Sequence, residues 1–165
     1  MPSEKDLDHA LATELEINHR FLEWFISRTK FAGHRVAFHS VRSNYVWGSH
    51  PFPVQNPATG EITDSTRESE TDVLLLVKDH AGTTLAIHIE NKVGAGRFTK
   101  LQPEMYEHRA AHWIGDAGRG GYSDFDTVLL APEMFRQRNA EQAAIFGSFV
   151  SHESVADYIP LYGEA

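Results

Sequence analysis

The chain has 165 residues, of which 41% are hydrophobic, and this length and composition predict a single domain with a buried core. Its 23 acidic residues outnumber 15 Lys and Arg residues, and the net charge of −8 excludes binding to a polyanion through overall charge. Because cysteine is absent, disulfides, Cys-ligated metal sites and thiol nucleophiles are excluded. Chemistry must therefore come from carboxylate, histidine, lysine or hydroxyl groups.

Neither an export signal nor a membrane span is predicted. The segment from Met1 to Glu14 is charged and lacks the apolar centre of a signal peptide. The longest aliphatic run, Val73 to Val77, is far shorter than the roughly 18 to 20 residues that cross a bilayer. We therefore expect a cytoplasmic protein without membrane contact.

The spacing of apolar residues predicts helices and strands over most of the chain. The predicted elements, in chain order, are a helix over 6–28, strands over 35–46, 71–78 and 84–93, a helix over 100–114, a strand over 126–130, a helix over 132–146, and a short strand at 149–150 before a last helix. Residues 47–70 are predicted to be a loop insertion, because Pro51, Pro53, Pro57 and Gly60 interrupt regular structure. The order predicts an α/β fold with a central mixed sheet flanked by helices.

Three charged residues on the second and third predicted strands indicate chemistry. Glu90 and Lys92 share one face of their strand, because alternate residues of a strand face the same way. Antiparallel pairing across a turn at 79–82 places Asp72 opposite Glu90, with Cβ atoms about 4.5 to 5.5 Å apart. Two carboxylates at this separation repel each other unless a cation lies between them.

A divalent metal is the simplest cation for such a pair. Mg²⁺ typically binds one or two carboxylates and completes its shell with water and phosphate oxygens. Held by Asp72 and Glu90, it would polarise a phosphoryl oxygen and activate water, while Lys92 stabilises the developing negative charge or orients the water. The pattern therefore predicts hydrolysis of phosphodiester bonds.

These residues resemble the signature of the PD-(D/E)XK nuclease superfamily, which has an acid at the start of one strand and an acid-x-Lys triplet on the next. Here the two parts are Asp72 and the triplet Glu90-Asn91-Lys92, without the proline of the name. The resemblance spans about residues 10–160 and implies a restriction-endonuclease-like αβββαβ core. It also implies a nuclease that depends on Mg²⁺ or Mn²⁺ and acts on nucleic acid, DNA before RNA, and it leaves a homodimer open.

The resemblance implies further site residues. Many members carry a glutamate on the first helix that points at the metal, and Glu14 lies on the more apolar face, whereas Glu16 lies on the polar face. The helix after Lys92 often presents a Gln and then a Tyr one turn later, which here are Gln102 and Tyr106. Gln102 would support Lys92 or the substrate. The implied substrate contacts are Lys100, Tyr106 and Arg109. Arg42, from the stretch without acidic residues, is a further predicted substrate contact.

One region of the chain is free of acidic residues. From Trp24 to Gly60 there is no Asp or Glu, and the stretch contains Arg42 together with Tyr45 and Trp47. Such a segment suits a groove that follows a phosphate backbone, with aromatic rings available to stack on bases. A solvated loop pinned to the core by its aromatic residues explains the composition equally well.

Other interpretations remain open at this stage. In the simplest alternative, Glu90 and Lys92 form only a structural salt bridge. In a second alternative, the chain is a catalytically silent nuclease-like module that acts with a partner protein. His108 and His112 have a metal-ligand spacing on a helix, although packed or surface histidines are more common. His88 shares the Glu90 face and lies either at the site or in the core.

Overall fold

The computed structural model describes the backbone of residues 1–165 and the side chains of residues 1–46, 51–64 and 69–165. Its helices and strands, in chain order, are α1 (Glu4–Ile17), α2 (His19–Ile26), β1 (Val36–Gln55), β2 (Ile62–Asp79), β3 (Thr84–Asn91), α3 (Gln102–His112), β4 (Asp124–Ala131), α4 (Glu133–Arg138), α5 (Ala140–Ala143), β5 (Ser148–Ser151) and α6 (His152–Val155). Of the described helices, none is long and apolar enough to span a membrane.

The strands form one five-stranded sheet in the order β1-β2-β3-β4-β5. β1, β2 and β3 are antiparallel neighbours, whereas β3, β4 and β5 run parallel. Leu11 and Phe25 of the first two helices pack on one face of the sheet, and Met105 and Trp113 pack on the other. The predicted α/β fold with a central mixed sheet flanked by helices is confirmed.

The first predicted helix is divided into two. Asn18 has an extended conformation (φ −113°, ψ 97°) and its side chain accepts a hydrogen bond from the Phe21 backbone N–H at 3.1 Å. An Asn side chain that caps the next helix in this way favours a break in the chain direction. At the other end, Ser3 and Asp6 form a capping box, so α1 begins at Glu4, earlier than predicted.

The predicted hairpin and its register are confirmed. Residues of β2 and β3 pair from Val73 with Ile89 to Lys78 with Thr84, which is the register expected from the 79–82 turn. Gly82 occupies the left-handed region (φ 82°) in that turn, where a side chain would cost free energy. Because Val73 pairs with Ile89, the register places Asp72 next to the end of β3.

The predicted loop insertion at 47–70 is wrong, because β1 and β2 continue through most of it as a long two-stranded ribbon. Pro51 and Pro53 are tolerated because β1 is the edge strand and the two prolines are two residues apart. At both positions the backbone N–H that proline lacks would point to the side of β1 without a neighbouring strand, so no hydrogen bond of the sheet is lost. Only the short connection around Pro57 and Gly60 is a turn.

β1 contains one non-glycine residue with a left-handed backbone near the level of Asp72. Asn44 has φ 54°. Before it, Arg42 pairs with Leu74, and after it Tyr45 packs edge-on against Trp113 at a centroid distance of 5.5 Å. Arg42 and Tyr45 thus lie on the same face of the sheet, the face covered by α3. In a regular strand, residues three positions apart point to opposite faces.

We expect Asn44→Ala to lower the free energy of unfolding by about 1 kcal/mol, because alanine tolerates the left-handed region less well than asparagine. Asn44→Gly is expected to stay within a few tenths of a kcal/mol of the wild type. Urea unfolding followed by tryptophan fluorescence measures both values. Equal losses in the two variants would show that a side-chain contact, not the backbone conformation, makes asparagine important here.

Candidate active site

The middle of β2 and the end of β3 bring together the three charged residues predicted from the sequence. Lys92 Nζ lies 2.7 Å from Glu90 Oε1, and Glu90 is only 1% exposed. Asp72 is reached through the backbone, because the Asn91 N–H donates a hydrogen bond to Asp72 Oδ2 at 2.9 Å. Two carboxylates and one ammonium group therefore converge at the C-terminal end of β3.

The alternation of side chains between the two faces of β2 is interrupted at Asp72, and this interruption directs the Asp72 carboxylate toward the end of β3. Leu74 packs in the apolar cluster on the α3 face, yet Thr71, three residues earlier, contacts the same helix by accepting a hydrogen bond from Arg109 Nε at 2.9 Å. The alternation of faces is therefore shifted at Asp72. Its backbone N–H donates to the Tyr106 hydroxyl at 3.1 Å, and its side chain is left to cap the end of β3.

Gln102, at the start of α3, orients Glu90. Its Nε2 donates to Glu90 Oε1 at 2.6 Å, and its own Oε1 accepts from the Thr99 N–H at 3.0 Å. The expectation that Gln102 supports Lys92 or the substrate is thus replaced by a direct contact with the carboxylate. Glu90 Oε1 has two donors, whereas Glu90 Oε2 is buried and has no hydrogen-bond partner among the described residues.

The helix acid that reaches this cluster is Asp8, not Glu14. Asp8 is 2% exposed and its Oδ1 accepts from Asn91 Nδ2 at 3.1 Å. Glu4, one turn earlier on the same face, accepts from the Val93 N–H at 3.4 Å. Glu14 accepts from Asn18 Nδ2 at 2.6 Å. Six residues separate it from Asp8, so it points to another side of the helix, roughly 9 Å further along the axis.

Asn91, the middle residue of the triplet, carries a polar network that sequence reasoning missed. Its Nδ2 also donates to the Tyr162 hydroxyl at 2.8 Å, and its Oδ1 lies 2.9 Å from His152 Nε2. The Tyr162 hydroxyl donates to the Leu7 carbonyl at 3.0 Å. The network holds α1, with Asp8, against the end of β3.

The acidic groups raise each other's affinity for protons. Burial, and then the charges of Glu90 and Asp8, raise the pKa of Asp72 to about 9. Burial is also the main cause that raises the pKa of Asp8 to about 7, and the Glu90 charge adds to it. For Lys92, burial alone would lower the pKa, but the charge and hydrogen bond of Glu90 raise it overall. Lys92 is therefore an ammonium group and not a base at neutral pH.

The residues fit a hard divalent cation that is only partly held by protein. No group of three or more His, Asp or Glu side chains among the described residues is arranged to hold a metal ion by itself. A cation bound by Asp72 and Glu90 Oε2 would thus need water or phosphate oxygens for the rest of its shell. Mg²⁺ is commonly bound in this way, and an added positive charge would relieve the repulsion that raises the Asp72 pKa.

We expect thermal stability to fall as pH rises from about 5 to 9. Asp72 and Asp8 hold their protons in the folded chain far above the ordinary Asp value of 3.8, so the stability that they contribute is complete below that pH and is lost as their carboxyls ionise. Asp72→Asn should make the melting temperature less dependent on pH over this range. Melting curves at several pH values measure this, and an unchanged slope in the variant would contradict the raised pKa of Asp72.

Two of the predicted substrate contacts are buried beneath the site. Tyr106 is 1% exposed, and its hydroxyl also donates to the Ile89 carbonyl at 3.4 Å. Arg109 is 0% exposed and its guanidinium lies 4.3 Å from the centre of the Tyr106 ring. The prediction that these side chains contact substrate is wrong for this structure, because neither is accessible. Through their hydrogen bonds with the Asp72 N–H and the Thr71 hydroxyl, these two side chains hold β2 against α3.

Lys100 and Arg42 are both exposed, as a contact with substrate requires, but they occupy different places. Lys100 precedes α3 beside Gln102, close in sequence to the acidic cluster. Arg42 lies on β1 opposite Leu74. In the stretch without acidic residues, the structure describes the side chain of Tyr45, whereas the side chain of Trp47 lies outside the described residues.

The histidines that offered an alternative site are packed against other groups. His88 is 0% exposed, its two ring nitrogens lie 3.1 Å from the Thr71 and Tyr122 hydroxyls, and burial and the Arg109 charge hold its pKa well below the usual value. The His108 ring packs edge-on against Phe52 at 5.0 Å and stacks on His112 at 6.4 Å. These contacts favour packing roles over a histidine metal site.

Comparisons with protein-family models, with curated proteins and with solved structures find no match for this chain.

Proposed function

We propose that the chain is a metal-dependent nuclease of the PD-(D/E)XK type, with a restriction-endonuclease-like αβββαβ core, that hydrolyses phosphodiester bonds in nucleic acid. DNA is the first substrate to test, and the cytoplasm is the expected compartment. The observation that carries the proposal is the buried Glu90 Oε2 beside Asp72, which has no hydrogen-bond partner among the described side chains. The Lys92 ammonium group lies 2.7 Å from the other Glu90 oxygen.

Each residue has a distinct role in this proposal. Asp72 and Glu90 hold Mg²⁺ or Mn²⁺, which when bound polarises a phosphoryl oxygen and lowers the pKa of water. Lys92 donates hydrogen bonds to negative charge that develops on the phosphate or orients the attacking water. Gln102 fixes the Glu90 carboxylate, and Asp8 adds negative charge from the side of α1.

The proposal is tested with labelled single- and double-stranded DNA and RNA oligonucleotides, incubated with the purified chain and Mg²⁺ or Mn²⁺. We expect cleavage that stops when EDTA removes the metal. A crystal soaked in Mn²⁺ should show anomalous density at the Asp72 and Glu90 oxygens. Absence of cleavage under all these conditions, together with no density at this position, would reject the proposal.

A second candidate function is a catalytically silent module that acts with a partner protein. It is favoured by the exposed edge of β1, a strand of 20 residues on which Val46 is 62% exposed. Unpaired edges of this kind can accept a strand from another chain. In that case Glu90 and Lys92 form a structural salt bridge, and Mg²⁺ or Mn²⁺ would not raise the melting temperature.

A further inference from the structure

A cavity of about 320 Å³, whose described lining contains none of the carboxylates above, lies between β1, β2 and the turn at Ala117–Arg119 that follows α3. Arg42 and Tyr45 of β1 line one side of it, Leu74 and Leu76 of β2 form its floor, and Arg119 lines the other side. Its wall is thus built from three separate parts of the chain.

The cavity is positively charged in a chain whose net charge is −8. Its described lining contains two arginines and no Asp or Glu. The guanidinium carbons of Arg42 and Arg119 lie 5.4 and 5.2 Å from the centre of the Tyr45 ring, and that of Arg119 also lies 4.4 Å from the Trp113 ring. Aromatic rings hold guanidinium groups without cancelling their charge, so both can still bind an anion.

The turn that carries Arg119 is fixed closely against the sheet. Gly120 has φ 95°, and a Cβ atom at this position would lie 2.3 Å from Leu76 Cδ1. Only glycine permits both this backbone conformation and this approach. Arg119 Nη1 also donates to the Val46 carbonyl at 3.4 Å. The position of Arg119 over the cavity is therefore set by the fold.

The cavity begins close to the acidic cluster. Leu74 in its floor is two residues from Asp72 on the same strand, and two residues of a strand span roughly 7 Å. We propose that the cavity binds a phosphate group of the nucleic-acid backbone, separate from the phosphate at Asp72, through Arg42 and Arg119. Arginine suits this role because its planar guanidinium can donate two parallel hydrogen bonds to phosphate oxygens. The inference rests on the proposed function for the identity of the ligand.

The test measures binding without cleavage. Fluorescence anisotropy of labelled oligonucleotides in EDTA, over a range of salt concentrations, gives the affinity and its salt dependence for Arg42→Gln, Arg119→Gln and the double variant. We expect the double variant to bind at least tenfold more weakly at low salt, with the slope of log affinity against log salt shallower by about 1. Arg42→Lys and Arg119→Lys should retain part of the affinity.

Arg136→Gln is the matched control, because Arg136 also lies against an aromatic ring, with its guanidinium carbon 4.5 Å from the centre of the Phe149 ring, but belongs to α4 and is not among the described lining residues of this cavity. It should bind as the wild type does. Unchanged affinity and salt slope in a folded double variant, or no oligonucleotide binding by the wild type, would overturn the inference. Weakened binding in the double variant of a chain that cleaves nothing would instead reject the nuclease and keep the phosphate site.

Discussion

Lys92→Ala is expected to lower the rate of metal-dependent cleavage about a hundredfold to a thousandfold, because it removes a donor aimed at developing negative charge. Asp72→Asn should have an effect at least as large, because it removes one of the two carboxylates that would hold the cation. Initial rates on a labelled oligonucleotide at saturating Mg²⁺ measure both losses. Lys78→Ala, which removes an exposed lysine at the far end of β2, is the control and should cleave as the wild type does.

The two variants should differ in metal binding. Asp72→Asn loses a ligand, so its affinity for Mn²⁺, measured by calorimetry, is expected to fall. Lys92→Ala loses a positive charge 2.7 Å from Glu90, so its affinity for Mn²⁺ should be equal or higher although cleavage is lost. Undiminished cleavage by both variants would end the catalytic assignment.

Arg109→Ala is expected to lower the free energy of unfolding by about 3 kcal/mol or more. The side chain is fully buried, donates to the Thr71 hydroxyl and to the Ser69 hydroxyl, and carries a charge that partly offsets those of Asp72 and Glu90. Its removal leaves a cavity, a buried Thr71 hydroxyl and a half-buried Ser69 hydroxyl that lack this donor. Chemical denaturation gives the loss in stability.

Arg109→Lys separates charge from geometry. A lysine keeps the positive charge but cannot donate to both hydroxyls from a rigid plane, so we expect an intermediate loss of stability. The resemblance to the nuclease superfamily implied that Arg109 contacts the phosphate of the substrate. A variant that keeps its stability but loses affinity for nucleic acid would support that earlier interpretation against the buried role.

The hairpin of β2 and β3 could be predicted because aliphatic runs and a Gly-bearing turn define its register. The ribbon made by β1 and β2 could not, because Pro51 and Pro53 normally interrupt strands, and nothing in the local sequence shows that β1 would lie at the edge of the sheet. Strand order depends on packing between distant segments, which periodicity does not report.

For the site, spacing alone identified Asp72, Glu90 and Lys92, because two strands joined by a short turn place residues predictably. Asp8 was missed although it lies within the helix predicted over 6–28, because helix faces were assigned on one continuous helix, whereas the chain breaks at Asn18 into α1 and α2. The burial of Arg109 could have been inferred, since it falls three residues after Tyr106 on the apolar side of α3. A charged side chain on that side is usually assigned to the surface.

The contact of Tyr162 with Asn91 and with the Leu7 carbonyl has a consequence for synthesis on the ribosome, because Tyr162 and Leu7 are 155 positions apart in the chain. Leu7 leaves the exit tunnel long before the hydroxyl that ties it to β3 is translated. A nascent chain can form the hairpin of β2 and β3 before then, but Asp8 gains its full support only after Tyr162 emerges. The complete arrangement of acids is therefore assembled after this hairpin.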